Sequence, residues 1–520
     1  NKNKNKNKNK NQTTHQPKMQ PVRNVLIAIV ALALLSPIRA QSADAESGPA
    51  IKHFVVLMLE NRAFDHMLGF MGDQIPGLHG LVGNETNLID PSQPSTSAVA
   101  TVNQQAPYVD PNLEHSTADT AAQIQYGAAA DTLNAAPMNG FAANAQQHHQ
   151  WGAHALSCFN STSLPVLSTL AREFGVIDHY HSSVPGPTMV NRMFAFSGTS
   201  DGACNNDVEK LVEGYPQATM FDALDRSHVS FRVYFSDGPT SLCLKEMRSK
   251  RNLLKFRPLE SFYKEAASGH LPAFSWIDPA YFGIPDVQKP TDQHPSHDVV
   301  YGEELIKNVY DALRASPVWN HTVLMVTYDE HGGFYDSVPT PLTGVPSPDG
   351  KVCTDPVSFN FERLGVRVPA VIVSPWVNAQ TVLHTPTGPT PTSQFEHTSI
   401  ISTVFKLFNV KGGPLTQRDA WAGTFEEMWQ QRSTPRTDTP LTMPAPPVQS
   451  AFFEGVDEHE LRKQPMSGLQ QEILYMSHVL IDPTLTAQPD LELSEAEGGL
   501  QVLENIRSYF ANHDINLDDY

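Results

Sequence analysis

Apolar runs that stop abruptly at acidic residues constrain this chain more than any other feature. His53 to Leu59 (HFVVLML) shows no polar alternation, so it reads as a strand covered on both faces, and Glu60 and Asn61 follow at once. Thr322 to Thr327 (TVLMVT) is of the same kind and runs into Tyr328, Asp329 and Glu330. Gly175 to Asp178 (GVID) and Val366 to Ser374 (VRVPAVIVS) read as two further strands. Such strands, separated by stretches of helical spacing, predict an α/β fold with a mainly parallel sheet flanked by helices. Ligands of such sheets bind beyond the carboxyl ends of strands, which is where these acids fall.

The 520 residues suit one large α/β domain with a smaller appendage. The main domain is expected over 50–432. Within it, 84–110 is rich in Ser, Thr, Gln, Pro and Asn and reads as a surface loop. Prolines crowd 433–448, which is expected to be an extended linker. The remainder, 449–520, is expected to be a mostly helical C-terminal part, with helical spacing over Gly468 to Ile481 and Leu493 to Phe510. Residues 1–18 are low-complexity Asn/Lys sequence with no fold of their own. From Met19 a basic Arg23, an apolar run from Val25 to Leu35 and small residues near Ala40 and Ala43 make a secretory signal over 19–43. The product is then expected to be secreted or membrane-associated, with an uncleaved signal anchor as the competing reading. Sequons at Asn84, Asn160 and Asn320 are compatible with that route. Cys158, Cys204, Cys243 and Cys353 contain no CxxC pair, which argues against a thiolate zinc site and leaves disulfides or buried thiols open.

A formal net charge of −19 argues against nucleic acid as a partner, because that binding rests on Lys and Arg neutralising phosphates. An acidic protein still binds a phosphate group where a metal ion supplies the positive charge. Glu60 and Asn61 offer hard oxygen ligands suited to such an ion, and Asp329 and Glu330 are adjacent acids whose repulsion a cation would relieve. Gly332 and Gly333 then permit close approach of backbone or ligand. Thr188, after the stiff turn Pro185-Gly186-Pro187, is either a helix N-cap or a nucleophile facing a helix N-terminus. His115 and His294, the latter with His297 and Asp298 in DQHPSHD, are candidates for phosphate contact and for protonating a leaving alkoxide. His397, His148 and His149 are weaker candidates of the same kind.

The ordered set ENRAFDH, SSVPGPTMVNR, SGTSDG, DQHPSHDVVYGE, TYDEHGGFYD, PTPLTGVPSPDG, RLGVRVPAVIVSPW, FEHTS and RDAWAGTFE closely resembles the non-specific phospholipases C of plants and bacteria, from about Ile51 to about Leu480. Acid phosphatases of the same phosphoesterase superfamily share the first, second and fifth of these elements. The resemblance implies an alkaline-phosphatase-like core and one divalent ion, of Ca or Mg type, held by Glu60, Asn61, Thr188, Asp329 and Glu330. It also implies Thr188 as nucleophile, with His115 and His294 at the phosphate. Asn191, Arg192, His331 and His397, within these motifs, are expected to contact substrate. The implied reaction is hydrolysis of glycerophospholipids at a membrane surface to diacylglycerol and phosphorylated head group, through a phosphothreonine intermediate. An acid phosphatase acting on soluble monoesters and an inactive lipid-surface binding protein are the competing readings. Ala63 and His181 depart from the family's common Ser and Phe, and His181 bears on the pocket lining.

Overall fold

The computed structural model describes residues 51–124, 136–205, 208–354, 357–448, 464–482 and 489–520. The expected low-complexity start and signal segment lie outside the described residues, as does 449–463 of the expected C-terminal part.

Among the described residues twelve strands form: β1 His53–Leu59, β2 Thr86–Leu88, β3 Val99–Thr101, β4 Gly175–Ile177, β5 Tyr180–His181, β6 Phe231–Phe235, β7 Phe256–Pro258, β8 Phe274–Ile277, β9 Thr322–Tyr328, β10 Ala370–Val373, β11 Thr381–Leu383 and β12 Phe395–Glu396. Eight of them make one sheet in the order β11-β4-β10-β9-β1-β8-β6-β7. Only β10 runs against its neighbours; every other pairing is parallel. The fold is therefore α/β with a mainly parallel sheet, as the apolar runs require.

The four strands read from the sequence are β1, β4, β9 and β10. The last is shorter than its apolar run, because Pro369 has no N–H to give a ladder. The strands β6, β7, β8 and β11 are only three to five residues long and too short to show a period. The expected loop 84–110 contains a small antiparallel pair, β2 with β3.

The sheet centre is dry. From Phe54 to Leu59 no β1 side chain reaches solvent, and Phe54 packs on Phe274, Phe425 and Trp429. The helix Val299–Ala315 starts on Asp298, whose carboxylate accepts from Val300 N–H at 3.0 Å. Its buried Glu303 in turn accepts from the Val166 and Leu167 N–H groups, which pins the start of the helix Pro165–Glu173.

The helices Gly468–Ile481 and Glu495–Ala511 each begin with a capping box, on Ser467 and Ser494. They join the main core: Phe510 meets Phe235 and Phe256 with ring centroids 5.9 and 5.8 Å apart. The proline-rich run packs along the domain, with Arg436 N–H on Pro375 O at 2.7 Å and Tyr310 Oη on Pro440 O at 2.7 Å. Cys204 and Cys353 form a disulfide, and Cys158 and Cys243 are buried thiols. Among the described residues no helix is long and apolar enough to cross a membrane.

Glu472 is a buried residue of the helix Gly468–Ile481 with one carboxylate oxygen unpartnered, and burial pushes its pKa from 4.5 to about 8. A carboxyl raised on folding stabilises fully below its unfolded pKa, and that contribution is lost as pH rises through the folded value. Chemical denaturation should therefore show stability falling between pH 4.5 and about 8. Glu472→Gln should flatten that fall by more than about 1 kcal/mol, one pKa unit being about 1.4 kcal/mol. An unchanged slope would mean the carboxyl is solvated.

Candidate active site

The register of two strands creates the site. β1 and β9 pair in parallel with Leu59 opposite Tyr328, so Glu60-Asn61 and Asp329-Glu330 leave the sheet side by side. All four side chains are buried. Asn61 takes φ 58°, a left-handed conformation that asparagine tolerates better than most residues. That turn aims its N–H at Asp329 Oδ1, 3.0 Å away, which also accepts from Glu330 N–H at 2.7 Å. Gly332 is required here: its φ is +64°, and a Cβ on it would lie 2.1 Å from Asn61 O. A Cβ on Gly333 would lie 2.7 Å from Glu114 O, next to His115.

Thr188 opens the helix Thr188–Ser197. The cap position belongs to Pro187, and no side chain caps the helix, so the N-cap reading of Thr188 does not hold. Its hydroxyl instead donates to Asn61 Oδ1 at 3.0 Å, across from the acids. One helical turn later Arg192 lies beneath the strand ends. Its guanidinium donates to Asp329 Oδ2 at 2.9 Å, Tyr281 Oη at 2.8 Å and Leu59 O at 3.2 Å. Asn191 is tied to the turn, donating to Val184, Gly186 and Pro187 carbonyls and accepting from Val184 N–H. Both residues, expected at the substrate, are thus committed behind the site, where they hold the Thr188 turn and the Asp329 carboxylate.

The histidines surround this floor. His115 gives Nδ1–H to Leu113 O at 2.7 Å, which leaves Nε2 3.3 Å from Asn61 Nδ2 and 3.9 Å from Glu330 Oε1. His294 Nε2 is 3.9 Å from Glu60 Oε1, and its Nδ1 is buried without a hydrogen-bond partner. His331 bridges Glu330 Oε2 and Gln123 Oε1, at 3.1 and 2.7 Å. His397 Nε2 lies 2.5 Å from Asp329 O. The weaker candidates His148 and His149, at the end of the helix Phe141–His149, pair with Asp119 and Glu114. His181 is buried, with Nδ1 3.1 Å from Gly365 O.

The phosphoesterase family matches residues 51–411. The chain is 41% identical over 467 residues to non-specific phospholipase C1 of Arabidopsis thaliana, covering 89% of this chain and 86% of that protein. This chain belongs to the phosphoesterase family. Its place there is among hydrolases of the non-specific phospholipase C type. A more distant relative is the non-hemolytic phospholipase C of Pseudomonas aeruginosa, 26% identical over 405 residues, 69% of this chain and 54% of that protein. Among solved structures, a protein in the alkaline phosphatase superfamily from Vibrio parahaemolyticus is 12% identical with a TM-score of 0.28, covering 48% of this chain and 61% of that one.

The buried acids perturb one another. Burial, then Asp292 and Asp329, push Glu60 well above the usual carboxylate range. Burial lifts Asp329 to about 6, with Arg192 pulling down and Glu330 pushing up. Burial works the same way on Glu330, but His115 and His331 outweigh it and hold its carboxyl low. Glu60 Oε1 and Glu330 Oε1 are buried without a hydrogen-bond partner. Carboxylate, amide and hydroxyl oxygens are the donors of a hard divalent cation, and these orphaned oxygens fit one. Glu60, Asp329 and Glu330 do not bring three carboxylate oxygens within 4.8 Å of one another. Among the described residues, the set of His, Cys, Asp and Glu ligand atoms all within 4.8 Å of one another is His79, Asp178, His179 and His384, a cluster elsewhere that could hold a metal ion.

Burial, helped by His297 and His115, holds His294 well below its usual pKa. Burial opposes charge at His297 too, but Asp292 and Glu495 overcome it and hold its pKa well above the usual imidazole value. Asp292 accepts from His294 N–H and from His297 Nδ1–H, and its own carbonyl accepts from Glu60 N–H. Glu495, from the last long helix, lies 3.3 Å from His297 Nε2. Sequence reasoning missed Asp278 and Tyr281, which support Arg192, and the tie to Glu495. Asp278 ends β8 as Glu60 ends β1, so the same rule would have found it had that short strand been recognised.

Gly332→Ala should push the Asp329–Glu330 turn off Asn61 and lower turnover by more than about 100-fold, as displacements near 1 Å do in catalytic sites. Steady-state rates alongside a thermal melt check this. A near-normal rate would show that the Gly332–Asn61 contact does not set the geometry.

Proposed function

We propose that this phosphoesterase is a phospholipase C that hydrolyses glycerophospholipids, phosphatidylcholine and phosphatidylethanolamine among them, to diacylglycerol and phosphorylated head group. The observation that carries this reading is the Thr188 hydroxyl, 3.0 Å from Asn61 Oδ1 on a floor of buried acids. The substrate class is supported by relatives at about 40% identity whose names are non-specific phospholipase C.

Glu60, Asn61, Thr188, Asp329 and Glu330 would hold one divalent cation, which when bound polarises a phosphoryl oxygen and acidifies the hydroxyl beside it. The chain's own groups do the rest. Asn61 orients the hydroxyl, and the helix N-terminus behind Thr188 favours negative charge there. Thr188 Oγ forms a bond to phosphorus and loses its proton to solvent, while the bond from phosphorus to the diacylglycerol oxygen breaks. His294 protonates that departing oxygen. The imidazolium it needs is favoured once a phosphate anion sits beside it, an opposite charge raising a histidine pKa. Water then attacks phosphorus, His294 takes its proton, the phosphorylated head group departs, and Thr188 recovers a proton from solvent. Arg192 keeps Asp329 ionised and in place throughout.

Purified protein given phosphatidylcholine and a small phosphomonoester should release diacylglycerol and phosphocholine from the first. Hydrolysis of the monoester alone, or phosphatidate as the main lipid product, would overturn the assignment. Thr188→Ala should lower turnover by more than about 1,000-fold, as loss of a nucleophile does, without changing the melt. His294→Gln should slow phospholipid cleavage more than cleavage of an ester with an acidic phenol leaving group, which needs little protonation. Equal slowing of both would make His294 a phosphate-binding group.

A further inference from the structure

Three histidines and an aspartate that this catalysis does not use meet at one end of the same sheet edge. β4 and β11 are parallel with Ile177 opposite Leu383, so Asp178 and His384 leave neighbouring strands together. His179 follows Asp178, and His79 arrives from the loop after the short 3-10 turn Gly69–Met71. One ligand atom from each residue lies within 4.8 Å of all the others. His384 Nδ1 is 2.9 and 3.0 Å from the two Asp178 oxygens. His79 Nδ1 is 2.8 Å from His179 Nε2 and 3.8 Å from Asp178 Oδ2.

The cluster is both anchored and open. Arg367 donates to the carbonyls of His79 and Asp178 at 2.8 and 2.7 Å, and His79 N–H donates to Asp178 Oδ2 at 2.8 Å. Asp178 is fully buried, whereas the His79 and His384 side chains are 54% and 39% exposed, so an ion from solvent can reach them.

We propose that His79, Asp178, His179 and His384 form a second metal site that takes a zinc-type divalent ion. Three imidazole nitrogens and one carboxylate oxygen are a tetrahedral donor set of borderline softness, unlike the oxygen-only floor around Glu60. Zinc bonds of about 2.0–2.2 Å place such donors roughly 3.3 Å apart. The distances of 2.8–3.8 Å between these atoms bracket that spacing. The site is separate from the catalytic floor: β4 lies two strands from β9 and three from β1, about 10–14 Å at the spacing of strands in a sheet. A bound ion would tie the loop carrying His79 to the β4–β11 end. Arg367 would link that tie to the helix Phe64–Leu68 through Asp65, its Nη2 being 3.0 Å from Asp65 Oδ1.

The test uses the full-length protein stripped with a chelator. Zn²⁺ is titrated against a chromogenic competitor, melts are recorded with and without Zn²⁺, and Co²⁺ is added for its visible spectrum. Wild-type protein should bind Zn²⁺ tightly at this site, melt higher with it, and give the intense visible band of tetrahedral Co²⁺. His384→Ala should lose the band and weaken Zn²⁺ at this site by more than about 100-fold, beyond what loss of a mere outer-sphere partner does. Glu60→Gln should keep both. His79→Gln, at the most exposed position, repeats the measurement should His384→Ala fail to fold. Absence of the band from wild-type protein, or an unchanged band and affinity in the folded histidine variant, would overturn the proposal and leave a hydrogen-bonded histidine cluster.

Discussion

The parallel pairing of β1 with β9 sets where every buried acid of the candidate site stands. Two dry strands in the middle of an eight-stranded sheet cannot slip by a residue without turning their side chains to the wrong face. That rigidity fixes Glu60 beside Asp329 and forces three buried carboxylates into one region. Like charges under burial are tolerated only with compensation. Arg192 supplies part of it from below, through Asp329, and is itself held by Tyr281 and Asp278. On the upper face Glu60 and Glu330 keep oxygens without a hydrogen-bond partner, and it is there that we propose an ion and a phosphate bind.

Much of this was legible in the sequence because burial writes a simple pattern there. Strands covered on both faces are uninterrupted apolar runs, so β1 and β9 and the acids at their ends could be read directly. The roles of Asn191 and Arg192 could not be read that way. A motif places two polar residues after Thr188 but does not say that one serves the Pro185–Pro187 turn and the other a carboxylate from a strand 137 residues later. Short strands such as β8 and β11 were also hidden, since three or four residues carry no period. With β8 unrecognised, Asp278 gave no sign of standing at a strand end.

The histidine cluster was hidden for the same reason. His79 and His384 are 305 residues apart in sequence, and only the pairing of β4 with β11 brings His384 to Asp178. The C-terminal part presents a similar case. Its helical pattern was plain, but nothing in that pattern showed that Glu495 would reach His297 and so bear on the loop that carries His294. The capped C-terminal helices thus do more than cover apolar surface: they hold Glu495 against His297, beside the proposed catalytic floor.

We propose that Thr188 attacks phosphorus, and rapid quenching tests that step. Protein mixed with phosphatidylcholine, quenched in acid within one turnover and digested should yield the peptide containing Thr188 with a phosphocholine group on its hydroxyl. The adduct should be absent after complete turnover and absent from Thr188→Ala. Diacylglycerol released in the first turnover with Thr188 unmodified at every quench time, and with water oxygen entering phosphocholine in a single displacement that inverts phosphorus, would contradict the account.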